Sequence, residues 1–367
     1  MSFAVNGTTG ITFNDNTNMA TAASLGPRNR IINGNMAIDQ RNAGAAINSA
    51  ATGSFPVDRF VYYTTQTGKF NLQQNAGSVT PPAGFTNYLG CTSTSSYSSL
   101  SSDVFVLDQK IEGYNVADLN WGTANAKTVT LSFWVYSSLT GTFGGSFQNS
   151  VQNRAYSFSY TISSANTWTY ITITIAGDTS GTWITNNGVG IIINWDLGCG
   201  STYRGAAGSW SGSNYLGATG AVSVVGTSGA TFYITGVQLE VGSVATPYQF
   251  NTYSDQLAQC QRYFSKSYDL GSATGSITGA GVFGFRGIQT VYNEFPVSAP
   301  IAMRATPTLT FYSPNSGASG KYYNYSASAD VAASSDFLSQ NTFTFSSGTG
   351  VTANQLCGFQ WTLSAEL

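Results

Sequence analysis

At 367 residues the chain is long enough to bury more than one core, so two or three domains are expected. Only 8% of it is charged, and its formal charge of −2 supplies no field to attract nucleic acid or an acidic membrane surface. Histidine is absent, which removes the commonest general base and transition-metal ligand and excludes Ser-His-Asp and Cys-His catalysis.

The 41 Gly, 21 Tyr and 22 Phe argue for β structure with many turns and enough aromatic area to bury. Residues 1–27 hold two short β-prone pieces between NG and ND turn signals, too few for a core, and read as an extended connector. No basic n-region leads into an apolar h-region, and no run of eighteen apolar residues occurs, so neither a signal peptide nor membrane insertion is expected. The stretch RNRIINGNMAIDQRNAG follows, unusually charged for this chain, with Arg28, Arg30, Asp39 and Arg41 flanking INGNMAI. INGNMAI is expected to form a first strand with the charges fixing its two ends.

From about 50 to 248 the alternation is that of antiparallel strands. Val129, Leu131, Phe133 and Val135 share one face, with Thr130, Ser132 and Trp134 on the other. Ile171, Ile173 and Ile175 alternate with Tyr170, Thr172 and Thr174, while Ile191, Ile193, Trp195 and Leu197 oppose Ile192, Asn194 and Asp196. In FYITGVQLEV the pattern set by Phe232 and Ile234 slips at Gly236 and resumes as Val237, Leu239 and Val241, the signature of a β-bulge. Residues 28–249 therefore read as a jelly-roll β-sandwich. At NTYSDQLAQCQRYF the period becomes helical, with Leu257, Cys260 and Phe264 on one face and Thr252 or Ser254 as cap, so residues 250–265 read as a helical linker. Residues 266–367 return to strands in GVFGFRGI, TLTFY, NTFTFSS and GFQWTLSA, a second and smaller β-sandwich.

The chemistry these residues allow is narrow. Cys91, Cys199, Cys260 and Cys357 fall in no metal or redox spacing and read as free buried thiols. Paired carboxylates remain for glycoside hydrolysis, from Asp103, Asp108, Glu112, Asp118, Asp178, Asp196 and Glu240. Within DQKIEG a salt bridge with Lys110 is the plainer reading. A structural calcium ion stays open, although no D-x-[DN]-x-[DN]-G loop names its ligands, and no other cofactor is implied. Non-catalytic sugar binding suits the composition better, because flat rings cover the apolar faces of a pyranose while amides and Arg reach its hydroxyls. The candidates are Tyr203, Arg204, Trp210, Asn214 and Tyr215 in one loop, Trp121 and Trp183 in turns, and Asn194 with Asp196 on a strand.

RNRIINGNMAIDQRNAG followed by FPVDRFVYY resembles the start of the globular part of tailed-bacteriophage fibre and receptor-binding proteins, marine phages especially. YITGVQLEVGSVATPY, SDQLAQCQRYFSKSY and FPVSAPIAMRATPTLTFY resemble the same group, and GITFNDNTNMATAAS resembles the short repeats that end fibre shafts. The resemblance implies an N-terminal attachment to other virion proteins, a jelly roll similar to carbohydrate-binding modules, a distal β domain and a homotrimer that contacts host-surface glycan. On it, Arg28, Asn33, Gly34, Met36, Gln40 and Arg41 belong to the entry strand, and Asp58 with Arg59 starts the sandwich. Gln238, Glu240 and Pro247 close it, while Cys260, Gln261, Arg262 and Tyr263 form the connecting helix. These residues, with Arg30 and Asp39, are expected to serve scaffold and assembly. A purely structural neck or capsid fibre and a glycan depolymerase are the alternatives.

Overall fold

Period-two alternation sorts the strands into two facing sheets in the computed structural model, which describes residues 28–289, 293–348 and 351–367. Before them it describes only the backbone of Ala4–Asn6, Gly10–Thr12 and Asn18–Met19, three short antiparallel strands. The attachment role expected of residues 1–27 otherwise lies outside the described residues. A seven-stranded sheet runs in the order Trp210–Ser211, Ala155–Ile162, Gly141–Gln148, Val189–Asp196, Phe105–Glu112, Phe60–Thr64, Ser54–Val57. A five-stranded sheet runs Thr169–Ile175, Val129–Ser137, Thr231–Val241, Leu89–Ser93, Phe70–Gln74. Every pairing in both is antiparallel, which makes an all-β, jelly-roll-like sandwich.

The core between the sheets holds the faces the alternation assigned to it. Val129, Leu131, Phe133 and Val135 meet Phe143, Phe147, Ile191, Ile193 and Trp195 from the opposite sheet, all buried. Each such side chain contributes about 1.5–3 kcal/mol by leaving water. The register of Thr231–Val241 against Val129–Ser137 shifts between Thr235 and Gln238, and Gly236 sits there at φ +63°, so the bulge lies where the slipped pattern put it. Val241 departs from its expected core face and is exposed, because the strand ends there and turns outward.

INGNMAI does not form a strand. Asn33 and Met36 take left-handed φ of 60° and 57°, and side chains replace the ladder bonds. Asn33 Nδ2 donates to the carbonyls of Ile38 and Asp58, its Oδ1 accepts from Ile38 N, and Ile32 exchanges two bonds with the Gln109 side chain. Ile31 and Met36 are buried with the sandwich core, so the segment plugs one end of it instead of extending a sheet.

The helix Tyr253–Gln261 begins at Thr252, whose hydroxyl accepts from Asp255 N. It buries Gln256 and Cys260, and Leu257 stays partly open. Phe264 belongs to the next strand, Phe264–Lys266, which pairs with Leu356–Ser364. Leu356–Ser364 also pairs with Phe283–Arg286, Thr308–Tyr312 and Lys321–Asn324, while Glu294–Ser298, Thr342–Ser346 and Ser334–Asp336 form a second sheet. Phe285, Phe311, Tyr322, Phe345 and Phe359 fill a separate core there. All four cysteines are free and buried.

Candidate functional site

The loop aromatics and polar residues singled out in the sequence separate onto different surfaces. Trp121, Trp183 and Trp210 do meet, with ring centroids 4.8, 5.3 and 5.5 Å apart and planes at 78–82°. Tyr156 joins Trp210 at 5.3 Å. Trp210 stands on the edge strand of the seven-stranded sheet, and its indole N–H reaches 2.8 Å to the carbonyl of Ala176, just past the edge strand of the other sheet. Trp121 and Trp183 likewise donate to the carbonyls of Lys127 and Ser180. Beside them Arg154 holds Asp178 with two 2.7 Å bonds. Edge-to-face packing sets the three ring planes nearly perpendicular, so this cluster closes the open side of the sandwich and offers no parallel platform.

Asn194 and Asp196 lie on the outer face of the seven-stranded sheet, away from the tryptophans. Asp196 is paired twice by Arg204, at 2.7 and 3.1 Å, and accepts from the N–H groups of Gly198 and Cys199 at 2.7 Å. Asn194 Nδ2 donates to Ser146 and Gln148, Gln148 Nε2 to Asn214, and Asn214 to Gln152. Tyr203 packs on Val106, Cys199 and Leu216, and the Tyr215 ring lies against Gly205. The row is covered: Asn194, Asp196 and Gln148 are buried. The other acids weighed for hydrolysis are engaged too, Asp103 by Tyr97, Leu100 and Thr65, Glu112 by Arg262 and Tyr263, Asp118 by Arg30, and Glu240 by Gln238 and Thr246. These bonds join chain segments and do not set an acid opposite a base across a cleft. Asp108, opposite Asn194, is the exception: its Oδ1 has no hydrogen-bond partner among the described residues and burial pushes its carboxyl up to about 7, against Lys110 and Arg59. Among the described residues no three acids and thiols gather into a metal site, so the structure names no calcium ligands.

The residues expected to serve as scaffold tie segments distant in sequence. Gln249 Oε1 accepts from Arg28 N and Asn29 N, and Arg30 pairs with Asp118 at 2.8 Å. Asp39 accepts from Asn42 and Gly44 within its own turn, while Arg41 pairs with Glu366 at 3.0 Å and lies 3.6 Å from Asp58. Arg59 pairs with the same Glu366 and stacks on the Tyr263 ring. Gln238 and Glu240 together hold the turn at Thr246 and Gln249, and Cys260 is buried on the inner side of the helix.

A half-open aromatic surface was not among the sequence candidates. It is the outer face of the five-stranded sheet, where Trp134 meets Tyr170 at 5.1 Å and Tyr136 meets Trp168 at 5.5 Å and Tyr233 at 5.4 Å. Tyr88 continues the row from Tyr233 at 5.2 Å. Glycines admit the rings: a Cβ on Gly90 would stand 2.9 Å from the Tyr233 ring, and one on Gly236 would stand 2.7 Å from Phe85 and 3.1 Å from Trp134. The row opens toward the edge strand, from Tyr88 at 0% exposure to Tyr170 at 43%. Trp168 gives its N–H to the Thr80 carbonyl, but the Trp134 indole N–H and the Tyr136 and Tyr170 hydroxyls have no hydrogen-bond partner among the described residues. Glu240 is the sole acid or base in the five strands and is already engaged. The sequence signal was present in the reverse faces of two strands, Trp134 with Tyr136 and Trp168 with Tyr170. Their adjacency appears only once strand order is known.

No protein-family model and no curated protein matches the sequence. Among solved structures, a putative sugar binding protein from Bacteroides thetaiotaomicron aligns at 12% identity and TM-score 0.31, covering 59% of this chain and 100% of that one. A family 11 carbohydrate-binding module from Clostridium thermocellum aligns at 12% and 0.27, covering 54% and 100%. The enzymatically active domain of bacteriophage CBA120 tailspike protein 4 aligns at 14% and 0.30, over 53% of this chain and only 22% of that one. Identities and TM-scores this low assign neither a ligand nor an activity.

Proposed function

We propose that this protein is a non-catalytic glycan-recognition component of a phage fibre or related virion appendage, binding through the outer face of its five-stranded sheet. The observation that carries the reading is the half-open aromatic row with unused donors. The Tyr170 and Trp134 rings suit the apolar face of a sugar, and the free indole N–H and tyrosine hydroxyls suit its oxygens. Thr172, exposed two residues beyond Tyr170 on the same face of the strand, adds a further hydroxyl. The virion setting rests on the sequence motifs that resemble fibre proteins, as does a homotrimer, in which three weak sites would combine into avidity.

The test is retention of the full chain on host cells and on an array of their surface glycans, with Trp134→Ala and Tyr170→Ala beside the parent. Each substitution is expected to weaken retention about tenfold, the equivalent of about 1.4 kcal/mol per lost ring. Undiminished retention in both variants would remove the site from this face. No retention of the parent on any host glycan would favour the purely structural fibre.

A further inference from the structure

The bulge at Gly236 joins the Trp134 and Tyr170 pair to a second group of rings. A Cβ there would stand 2.7 Å from Phe85 and 3.1 Å from Trp134, so these two rings meet over the space the glycine leaves. Phe85 comes from the loop between Phe70–Gln74 and Leu89–Ser93. Its ring lies 5.1 Å from Tyr248 and 5.2 Å from Phe250, which are themselves 4.8 Å apart. The segment carrying Tyr248 and Phe250 follows Thr231–Val241 and is pinned by the residue between them: Gln249 N donates to Gln238 Oε1, and Gln249 Oε1 accepts from Arg28 N and Asn29 N. Tyr170, Trp134, Phe85 and Phe250 thus form one strip across the strands, supplied by four separate segments. Its two ends are its most exposed rings, Tyr170 at 43% and Phe250 at 54%.

We propose that Phe85 and Phe250 extend the sheet-face site, and that its ligand is an uncharged glycan chain of several sugar residues, held along its length instead of at one end. The inference rests on the reading of that face as the binding site. A single terminal sugar covers one or two rings. The strip offers a run of them, spaced 5.1 Å from Tyr170 to Trp134 and 5.2 Å from Phe85 to Phe250, so that successive pyranoses can each set an apolar face on a ring. Open rings at both ends let a chain run on past the strip, whereas a pocket for a chain end encloses its ligand. The charge of the ligand follows from the segments that build the strip. Neither the five strands nor residues 79–88 and 242–252 contain a Lys or Arg, so these segments supply no cation for the carboxylate or phosphate groups of an acidic glycan. Glu240, the one acid among them, is held by Gln238 and Thr246.

The test titrates the full chain, by calorimetry, with host-surface polysaccharide cut by partial hydrolysis and separated by anion exchange into neutral and acidic fractions, then by length. Neutral fragments should bind more tightly as they lengthen past a disaccharide, with an affinity that stays within about twofold between about 0.05 and 0.5 M NaCl. Phe250→Ala alters a side chain more than half in solvent, so it should keep the Tm of the parent. It should weaken the long neutral fragments about fivefold and shrink the gain from length by the same factor. Should it lower the Tm, Phe250→Leu, which keeps apolar bulk and loses the flat ring, carries the test with the same loss expected. Equal affinity for disaccharides and long fragments, binding confined to the acidic fraction, or long fragments held undiminished by the Phe250 variant overturns the inference while Trp134→Ala still weakens binding. Binding that Trp134→Ala leaves intact overturns instead the sheet-face reading beneath it.

Discussion

Replacing Trp210 with Ala separates a ring that holds the sandwich from a ring that touches ligand. Trp210 packs edge-to-face on Trp121, Trp183 and Tyr156, and its N–H ties the two sheets through the Ala176 carbonyl. Truncating a fully buried Trp costs about 3–5 kcal/mol, and Trp210 is only half-buried, so the lower end, about 3 kcal/mol, is expected. For a domain of this size that corresponds to a fall of about 6–12 °C in Tm. Thermal and urea unfolding followed by near-ultraviolet circular dichroism measure the loss, and glycan retention below the transition measures binding on the same sample. The reasoning expects a large loss of stability with retention unchanged, the reverse of Trp134→Ala. Retention lost while Tm stays within about 2 °C of the parent would refute it and return the binding site to the Trp121, Trp183 and Trp210 cluster.

Gly236→Ala puts a side chain at φ +63° and 2.7 Å from the Phe85 ring, and is expected to lower stability by about 2 kcal/mol in urea; an unchanged midpoint would remove the bulge from the list of requirements. Burial opposes ionisation of Glu112, but the bonds from Arg262 and Tyr263 outweigh it and lower its carboxyl below 4.5. Its contribution is therefore present above pH 4.5 and lost as pH falls through the lowered value, so Glu112→Gln should flatten acid unfolding there and cost about 2 kcal/mol at pH 7. Burial raises the thiols of Cys91, Cys199, Cys260 and Cys357, so an aromatic disulfide reagent should label none in the native protein and all four after unfolding. Native labelling at any of them would place that thiol outside the core.

What was legible in the sequence followed from the backbone. Alternation alone put Val129, Leu131, Phe133 and Val135 inside, and the slip at Gly236 located the bulge, because each depends on neighbours one or two residues away. INGNMAI misled for the same reason. Ile31, Met36 and Ile38 are apolar and buried, but only the long-range bonds of Asn33 to Asp58 and of Ile32 to Gln109 reveal that the segment is a plug and not a strand. The tryptophans were visible as loop residues, yet nothing local says that Trp210 packs edge-to-face with Trp121. The aromatic row needed strand order, since Tyr170, Trp134 and Tyr233 come from strands that pair only through the fold.

The distribution of charge links the proposed site to the junction between the sandwich and the C-terminal domain. Buried ion pairs add little net stability, because desolvation offsets much of their attraction, but a pair left half-broken is costly. The junction therefore gains geometry more than tightness from Arg41, Arg59, Arg262 and Arg304. Their planar donors fit Glu366, Glu112 and the carbonyls of Asn187, Ala365 and Glu366 in one arrangement of the two domains. An apolar seam of equal area would have merged the two cores. The polar seam instead keeps the two cores apart. Glu240 is the sole acid or base in the strands of the five-stranded sheet, so a bound sugar there would meet rings, hydroxyls and an indole N–H in place of charges.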